Sequence, residues 1–456
     1  MSGSAIAPAR QLAFQTLRET FEDGAHTERA FRAAAEALAL DSRERAQAQR
    51  LAYGAVQRRG TADAAIERLA GRSTSLLDPP LLAALRLGLY ELLFADGTPD
   101  HAAVDQAVEL VKGAGAAHAS GLVNAVLRRA ARERAKLTES LLGDDSTPER
   151  AAIAHSAPEW LARMWWSELG PESARSLLAA CNQPAEVAMR ASDPAAALAR
   201  LREAGVEAEP ASGEWPLRSA EMIVISGRTG ATVPEMVAAG ELTPQSRGSA
   251  AVVEVLDPGR EDQVLDLCAG PGIKTGQIAQ RRDDDGLVIS VELDAKRAAE
   301  VAAQAVRLQL RSTTIFETDA TKIELPAEFD RVLLDAPCSD LGALASRPDA
   351  RWRKSPKGIE RLVAVQEAAL RAAARALRPG GALVYSTCTI SRAENEDRVA
   401  ALLAAAGSDG VPQLELEDLG ARAPALASSH DPRCLQLRPD RDRTTGFFIA
   451  RLKRND

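Results

Sequence analysis

The first third of the chain has apolar residues at intervals of three and four, the spacing of amphipathic helices. In "PPLLAALRLGLYELLFADG" the leucines keep this spacing from a proline start to Asp96 and Gly97, residue types that end helices. The stretch "SGLVNAVLRRAARERAK" combines an apolar face with a basic end. The pattern over residues 9–137 predicts an all-helical domain, which we place at residues 1–137.

The last part of the chain has a different pattern. From Gln263 onwards, short apolar runs alternate with helical stretches, and the runs are "QVLDLCAG", "GLVISVELD", "TTIFETDAT", "FDRVLLDAPC", "GALVYSTC" and "TGFFIARLKR". Buried strands separated by helices predict βαβ units and a parallel sheet covered on both faces, here a Rossmann-like α/β domain at residues 246–456. Residues 138–245 mix short helical and extended segments and are predicted to form an α+β connecting subdomain.

Composition narrows the class of protein. At 456 residues the chain is long enough for two or three domains. Its five cysteines contain no CxxC pair, and neither a signal peptide nor a long apolar run is evident, so we expect a cytoplasmic protein with reduced thiols and no contact with a membrane. The five histidines have no ligand spacing, which speaks against a metal site.

The distribution of charge predicts where a polyanion could bind. With a net charge of -8, the protein cannot coat nucleic acid over its whole surface, and binding would need a local excess of Lys and Arg. Residues 347–378 contain nine Lys or Arg and three Asp or Glu, and "LRRAARERAK" at 127–136 contains five basic residues and one acid. A solvated helix face is the simpler interpretation of such runs. The first run, however, directly follows one of the cysteine motifs.

The segment "VLDLCAGPGIKTG" predicts a strand, a glycine-containing turn and a helix, which allows a ligand to approach the backbone closely. It is not a Walker A loop, because Cys268 and Ile273 occupy the required glycine positions, and it is not GxGxxG, because Thr275 replaces the last glycine. The next strand ends in Glu292, which could bind both ribose hydroxyls, and Asp319 follows the third strand. These features favour S-adenosylmethionine over NAD or ATP.

Two cysteines follow strands whose carboxyl ends should be neighbours: Cys338 in "DAPCSD" and Cys388 in "YSTCTI". A single buried cysteine is more often a small core residue than a catalytic one. Methylation of pyrimidine C5, however, needs a thiolate that adds to C6, an acid near N3 and a base for the C5 proton. Asp335, Cys338 and Cys388 at adjacent strand ends could meet these needs.

The motifs "VLDLCAGPGIKT", "LLDAPCSDLGALASRPDARW" and "LVYSTCTISRAENE", together with "GFFIARL", resemble those of the RNA cytosine-C5 methyltransferases. The resemblance implies that Cys388 is the nucleophile and that Cys338 assists product release, whereas the DNA enzymes use the Pro-Cys cysteine as nucleophile. It also implies a set of cofactor-binding residues: Cys268, Ala269, Gly270, Pro271, Gly272, Ile273, Lys274, Glu292, Asp319 and Asp335.

Some positions depart from the family pattern. Gly270 replaces an alanine, Ile273 a glycine and Glu292 an aspartate, and "LTPQSRGSA" lacks the family's Gln-Asp pair. The branched side chain of Ile273 narrows the loop and would weaken cofactor binding.

Residues 9–137 resemble a NusB-like RNA-binding domain, and this fusion is typical of the bacterial 16S ribosomal RNA cytosine-C5 methyltransferases. The resemblance implies a monomeric enzyme acting on an unstacked cytosine of 16S ribosomal RNA, with residues 347–357 on the flanking backbone. The alternatives are a tRNA cytosine-C5 methyltransferase and a non-catalytic RNA-binding assembly factor with the same fold.

Overall fold

The computed structural model of the chain describes residues 6–38, 40–323, 325–326, 328–408 and 410–455. Eleven helices come first along the chain: α1 (Pro8–Phe21), α2 (Thr27–Ala37), α3 (Ser42–Gln57), α4 (Arg59–Ala70), α5 (Pro79–Leu93), α6 (Asp100–Gly113), α7 (Ser120–Arg132), α8 (Arg134–Leu142), α9 (Pro148–Ala154), α10 (Glu159–Leu169) and α11 (Pro171–Ala180).

Strands and helices then alternate. In chain order they are β1 (Val187–Ala191), α12 (Pro194–Glu203), β2 (Glu207–Pro210), β3 (Met222–Ser226), α13 (Thr232–Ala238), β4 (Leu242–Pro244), α14 (Arg247–Leu256), β5 (Gln263–Asp266), α15 (Ile273–Arg281), β6 (Leu287–Glu292), α16 (Ala295–Arg307), β7 (Thr313–Glu317), β8 (Phe329–Asp335), α17 (Ala350–Arg353), α18 (Pro356–Ala376), β9 (Leu377–Thr387), α19 (Glu396–Ala405), β10 (Leu414–Leu416), β11 (Leu435–Leu437), α20 (Pro439–Asp442) and β12 (Phe447–Arg454).

The chain forms two compact units. The first contains Met1–Gln183 and Leu344–Lys354, and the second contains Pro184–Ala343 and Ser355–Asp456. The first unit is helical throughout its described part, which confirms the helices predicted over residues 9–137, and the second contains the sheets. The predicted boundaries after residues 137 and 245 stay predictions. No helix among the described residues is long and apolar enough to cross a membrane.

The core of the first unit is built around α5, which is apolar on nearly every side and therefore buried. Polar groups that reach this core are paired. Arg86 of α5 donates to Asp63 of α4 at 2.7 Å, and Glu91 of α5 forms an ion pair of 2.7 Å with Arg10 of α1. Pairing offsets the cost of burying these charges and fixes α1 and α4 against α5.

The first unit also includes the short segment Leu344–Lys354, which follows the Cys338 motif in the sequence. Arg351 in this segment is only 1% exposed. Its guanidinium donates to the carbonyl oxygens of Ser156, Cys181 and Leu344 at 3.0, 2.9 and 3.3 Å, and burial lowers its pKa to about 10. The indole of Trp352 donates to the carbonyl oxygen of Val56. The prediction that residues 347–357 contact RNA is therefore wrong for Arg351, whose charge faces protein oxygens.

The large sheet of the second unit has the order β10-β12-β9-β8-β5-β6-β7, with β11 paired to β12. The strands β9, β8, β5, β6 and β7 are parallel, as predicted. The prediction is wrong for "TGFFIARLKR", because β12 runs antiparallel to β9. An apolar run specifies a buried strand but not its direction, and the chain between β9 and β12 adds β10 and β11 to this edge.

Both faces of this sheet are covered. Side chains of β8 alternate between them: Val332 and Leu334 pack in the core that includes α18 and α19, and Leu333 packs in the core that includes α14 and α15. The carboxyl ends of the parallel strands lie together at one edge of the sheet, and this is the edge where ligands of such sheets bind.

A second, antiparallel sheet has the order β2-β3-β1-β4 and packs against α12 and α13. It contacts the large sheet's helix α15 through Arg190 of β1, which is 3% exposed. The Arg190 guanidinium donates to the carbonyl oxygen of Ile273 at 2.9 Å and to Gln245 at 2.6 Å. The bond to Ile273 fixes the first residue of α15, which lies within the predicted cofactor loop.

Candidate active site

The two cysteines of the predicted site lie side by side. In the parallel pair β8 and β9, Asp335 is in register with Ser386, so the chain segments that follow leave the sheet next to each other. Cys338 comes three residues after β8, and Cys388 directly follows β9. Their Sγ atoms are 3.3 Å apart, and the Gly342 N–H donates to the carbonyl oxygen of Cys388 at 3.0 Å. The structure thus brings together two residues that are fifty positions apart.

The surroundings of Cys388 favour its thiol form. The hydrogen bond with Cys338, burial, and the charges of Asp340 and Asp335 together raise its pKa well above that of an ordinary thiol. The Cys388 thiol donates to Asp340 Oδ1 at 3.2 Å. A thiolate at Cys388 would have to form in a changed environment, such as that created when a substrate displaces water and brings its own polar groups.

Asp340 is a site residue that the sequence analysis missed. It has a left-handed backbone conformation with φ of 59°, which aspartate tolerates better than most residues. The turn at Asp340 directs its carboxylate at Cys388, and a carboxylate oxygen of Asp340 and both sulfurs lie within 4.8 Å of one another. The available signal was an aspartate two positions after the Pro-Cys cysteine.

Asp335 lies at the end of β8 between two polar side chains. Its Oδ2 accepts from Lys274 Nζ at 2.5 Å, and its Oδ1 accepts from Ser386 Oγ at 2.8 Å. Lys274 is only 8% exposed, and its Nζ also lies 5.0 Å from the centre of the Phe447 ring. The ion pair connects the cofactor loop, which contains Lys274, with the strand end beside the cysteines.

The predicted cofactor loop, residues 268–274, leaves β5 and enters α15 through two glycines with positive φ, 56° at Gly270 and 81° at Gly272. A Cβ at Gly272 would approach Val301 Cα to 3.0 Å, whereas a Cβ at Gly270 would meet nothing within 4 Å. The Gly270 N–H donates to Glu292 Oε2 at 2.8 Å, so the carboxylate is held against the backbone of the loop.

The remaining predicted residues surround this loop. Ala269 donates to the carbonyl oxygen of Val291 at 3.0 Å, Pro271 is exposed, and Ile273 is half-buried. Cys268 packs at the edge of the core, and its burial raises the pKa of its thiol. Asp319 follows β7, and hydrogen bonds from the Thr321 hydroxyl and backbone lower the pKa of its carboxyl.

The residues present fit S-adenosylmethionine. The Glu292 carboxylate has lone pairs left for two ribose hydroxyls after accepting from Gly270 and from the Asp294 N–H at 3.1 Å. The free space above Gly270 admits a ligand against the backbone. Neither Walker A nor GxGxxG spacing is present to bind a diphosphate or triphosphate. The loop and Glu292 therefore have the features of a site for a nucleoside, without a phosphate-binding loop.

Comparison with known proteins identifies the family. A model of the family described as 16S rRNA methyltransferase RsmB/F matches residues 253–453, and a model of the NusB family matches residues 7–132. The chain is 33% identical over 456 residues to a probable ribosomal RNA small subunit methyltransferase B of Synechocystis, with 98% of this chain and 99% of the relative covered. The chain belongs to the RsmB/F methyltransferase family. The RsmB/F match includes both cysteines and the whole predicted cofactor loop.

Other relatives agree with this assignment. A probable ribosomal RNA small subunit methyltransferase B of Bacillus subtilis is 30% identical, with 98% of each chain covered. Among solved structures, the crystal structure of PH0851 matches with a TM-score of 0.82 at 23% identity and covers 99% of both chains. A methyltransferase homologue from Pyrococcus horikoshii matches 69% of this chain and 99% of its own at a TM-score of 0.57 and 23% identity. The first structure therefore shares the fold of this chain over nearly its whole length, and the second shares it over about two thirds.

Proposed function

We propose that this chain transfers a methyl group from S-adenosylmethionine to C5 of a cytosine in 16S ribosomal RNA through a covalent bond between Cys388 and C6. The observation that carries the proposal is the pair of sulfurs 3.3 Å apart at neighbouring strand ends. Two thiols beside a buried Lys274–Asp335 ion pair offer a nucleophile, a proton carrier and a charged group within one site. A methyltransferase acting on a nitrogen or oxygen would need no such nucleophile.

We assign the cofactor site to residues 268–274 with Glu292, Asp319 and Asp335. When bound, S-adenosylmethionine supplies an electrophilic methyl group on a sulfonium. Glu292 would accept hydrogen bonds from the ribose, and its position is fixed by the Gly270 N–H. Lys274 would stay paired with Asp335, so that the loop keeps its place beside β8. Asp319, which follows the strand next to that of Glu292, would accept a hydrogen bond from the adenine amino group.

Cys388 begins the reaction in this proposal. Its thiol loses a proton, for which the Asp340 carboxylate is the nearby acceptor at 3.2 Å, and its sulfur forms a bond to C6 of the cytosine. The electron pair of the C5–C6 double bond moves towards N3, where the Lys274–Asp335 pair provides a proton or stabilises the charge. C5 would then be an enamine carbon, nucleophilic enough to take the methyl group that a bound S-adenosylmethionine would supply.

Cys338 completes the reaction. The adduct carries both a methyl group and a proton at C5, and a base must remove that proton before the double bond can return. Cys338 lies within contact distance of the Cys388 sulfur, so it can reach C5 of a base bound through C6. As the C5–H pair moves into the C5–C6 bond, the Cys388–C6 bond breaks and the thiolate leaves.

The assignment of the RNA rests on the relatives. The proteins from Synechocystis and B. subtilis are named as probable ribosomal RNA small subunit methyltransferases, and both align with this chain from the NusB-like domain to the last strand. A target cytosine has to leave its stack before C6 can reach the half-buried Cys388. We propose that the NusB-like unit contributes RNA affinity through its exposed basic residues, Arg128 and Lys136.

The two cysteines provide the test. Cys388→Ala should abolish methyl transfer while S-adenosylmethionine affinity stays within about twofold, because the nucleophile contacts the base and not the cofactor. Cys338→Ala should form a covalent RNA–protein band that survives denaturing electrophoresis, because release is slowed. Bisulfite sequencing of 16S ribosomal RNA from a strain without the gene should reveal one unmethylated cytosine. Near-normal transfer by Cys388→Ala would refute the covalent mechanism.

A further inference from the structure

A buried hydrogen-bond network joins the residues that directly follow the two cysteines. The Ser339 hydroxyl, one position after Cys338, lies 2.7 Å from the Thr389 hydroxyl, one position after Cys388. Both side chains are completely buried. The segments that contain Cys338 and Cys388, here called the Cys338 loop and the Cys388 loop, are therefore connected by a direct hydrogen bond. This bond joins the residue after one cysteine to the residue after the other.

Glu394 lies behind this bond and contacts the Cys338 loop. Its Oε1 accepts from the Ser339 N–H at 2.9 Å and from Gln366 Nε2 at 3.1 Å, and its Oε2 accepts from the Ser339 hydroxyl. Gln366 also donates to the carbonyl oxygen of Pro337 at 2.9 Å. The residues on both sides of Cys338 are thus fixed by Glu394, directly at Ser339 and through Gln366 at Pro337.

The next residue, Asn395, does the same for the Cys388 loop. Its Oδ1 accepts from the Thr387 hydroxyl at 2.5 Å, and its Nδ2 donates to the carbonyl oxygen of Thr389 at 3.2 Å. Thr387 and Thr389 are the neighbours of Cys388 on either side. Glu394 and Asn395 are both 0% exposed, and the Tyr385 hydroxyl donates to the Glu394 carbonyl oxygen at 2.6 Å.

We propose that Glu394 and Asn395 are positioning residues that set the separation and orientation of the two catalytic thiols. Glu394 fixes the residues around Cys338, and Asn395 fixes those around Cys388. Because these two residues are adjacent in the chain, they also fix the two loops relative to each other. None of these hydrogen bonds involves a sulfur, so the proposed role is to hold the two cysteine-containing segments in position. The inference rests on the proposed function for its consequence in catalysis, because a nucleophile and a base must meet C6 and C5 of one ring.

The chemistry of the network explains why these residue types occur here. Three donors, the Ser339 N–H, the Ser339 hydroxyl and Gln366 Nε2, converge on the Glu394 carboxylate. An apolar side chain at position 394 would leave the buried Ser339 N–H and one N–H of Gln366 without this acceptor, which is costly in a dry site. A glutamine could still accept from the Ser339 N–H through its Oε1, so it should preserve the connection.

The matched control is Glu396, two positions along the chain. It is also buried, at 8% exposure, but its carboxylate accepts from Ser428 rather than from either cysteine loop. Glu394→Met should lower kcat at least about tenfold with KM for RNA and cofactor within about threefold, because misplaced groups slow the reaction more than binding. Glu394→Gln should recover most of kcat. Glu396→Met should lose thermal stability without the selective loss of kcat.

The test does not depend only on the activity of Glu394→Met, because a second variant and a second measurement are available. Ser339→Ala removes the hydroxyl links but keeps the backbone bond, and it should give a smaller loss of kcat than Glu394→Met. Amide hydrogen exchange followed by mass spectrometry should show faster exchange in residues 338–341 of Glu394→Met and not of Glu396→Met. Hydrogen exchange can be measured whether or not the protein methylates RNA.

The outcomes separate the two proposals. Faster exchange in residues 338–341 of Glu394→Met, found in a protein whose wild type does not methylate RNA, would refute the proposed function and support the positioning role. Normal kcat and unchanged exchange in Glu394→Met would refute the positioning role and leave the function intact. Equal losses of kcat in Glu394→Met and Glu396→Met would also refute it, because they would indicate a general loss of stability.

Discussion

Replacing Asp340 with asparagine should make the Cys388 thiol more reactive in the free protein. The carboxylate oxygen lies 3.2 Å from the sulfur, and its charge opposes formation of a thiolate. At this distance Coulomb's law gives about 1.3 kcal/mol in water and about 5 kcal/mol at an effective dielectric constant of about 20. Asp340 is half-exposed, so we take the lower figure as the minimum. About 1.4 kcal/mol corresponds to tenfold more thiolate at a pH below the thiol pKa.

The assay is the rate of alkylation of Cys388 by iodoacetamide as a function of pH, measured by peptide mass spectrometry. Asp340→Asn should raise the rate at neutral pH at least about tenfold and move the midpoint of the profile to lower pH, since the thiolate is the reacting form. Alkylation needs no RNA, so it isolates the effect of charge from any role of Asp340 as proton acceptor. Cys388→Ala gives the background rate.

A charge control is available at the same edge of the sheet. Asp319 also follows a parallel strand, but its carboxylate accepts from the Thr321 hydroxyl, and the carboxylates that raise the pKa of Cys388 most are Asp340 and Asp335. Asp319→Asn should leave the alkylation rate unchanged. An unchanged rate in Asp340→Asn, or an equal increase in both variants, would show that the carboxylate does not control the thiol.

Three further predictions follow from the structure. Glu292→Ala should weaken S-adenosylmethionine binding by about 1.5 to 3 kcal/mol in calorimetry, the usual contribution of hydrogen bonds to a charged group. Arg351→Met should destabilise the first unit by about 2 to 4 kcal/mol in urea unfolding, because buried carbonyl oxygens lose their donors, whereas replacement of the exposed Arg128 by methionine should cost less than about 1 kcal/mol. Joint replacement of Arg128 and Lys136 by alanine should reduce the salt dependence of RNA binding by about two phosphate contacts, and an unchanged slope would exclude this surface.

The parts of the fold that depend on local pattern could be predicted. Apolar spacing in the first unit and apolar runs in the second are periodic along the chain, so helices and strands follow from them. The direction of β12 could not be predicted, because an apolar run such as "TGFFIARLKR" is compatible with either a parallel or an antiparallel strand. Direction depends on the path of the connecting chain, which carries no periodic signal of its own.

The site shows the same limit. Cys338 and Cys388 could be paired in advance, because both follow strands of a parallel sheet and such ends meet at one edge. Asp340 reaches Cys388 only through a left-handed turn, and Glu394 reaches Ser339 across 55 positions, so neither contact leaves a trace in local spacing. Charge counting failed at Arg351 for a related reason. The sequence does not distinguish an arginine whose guanidinium faces carbonyl oxygens from one whose guanidinium faces solvent.

The contact between the two sulfurs has a consequence for the cysteine variants themselves. The hydrogen bond with Cys338 is the largest cause of the raised pKa of Cys388. Removing Cys338 therefore lowers the pKa of Cys388 and increases its thiolate fraction. An RNA adduct in Cys338→Ala should accumulate for two reasons, faster formation and slower release. Only a time course that resolves both rates, and not the amount of the covalent band, measures what Cys338 contributes to release.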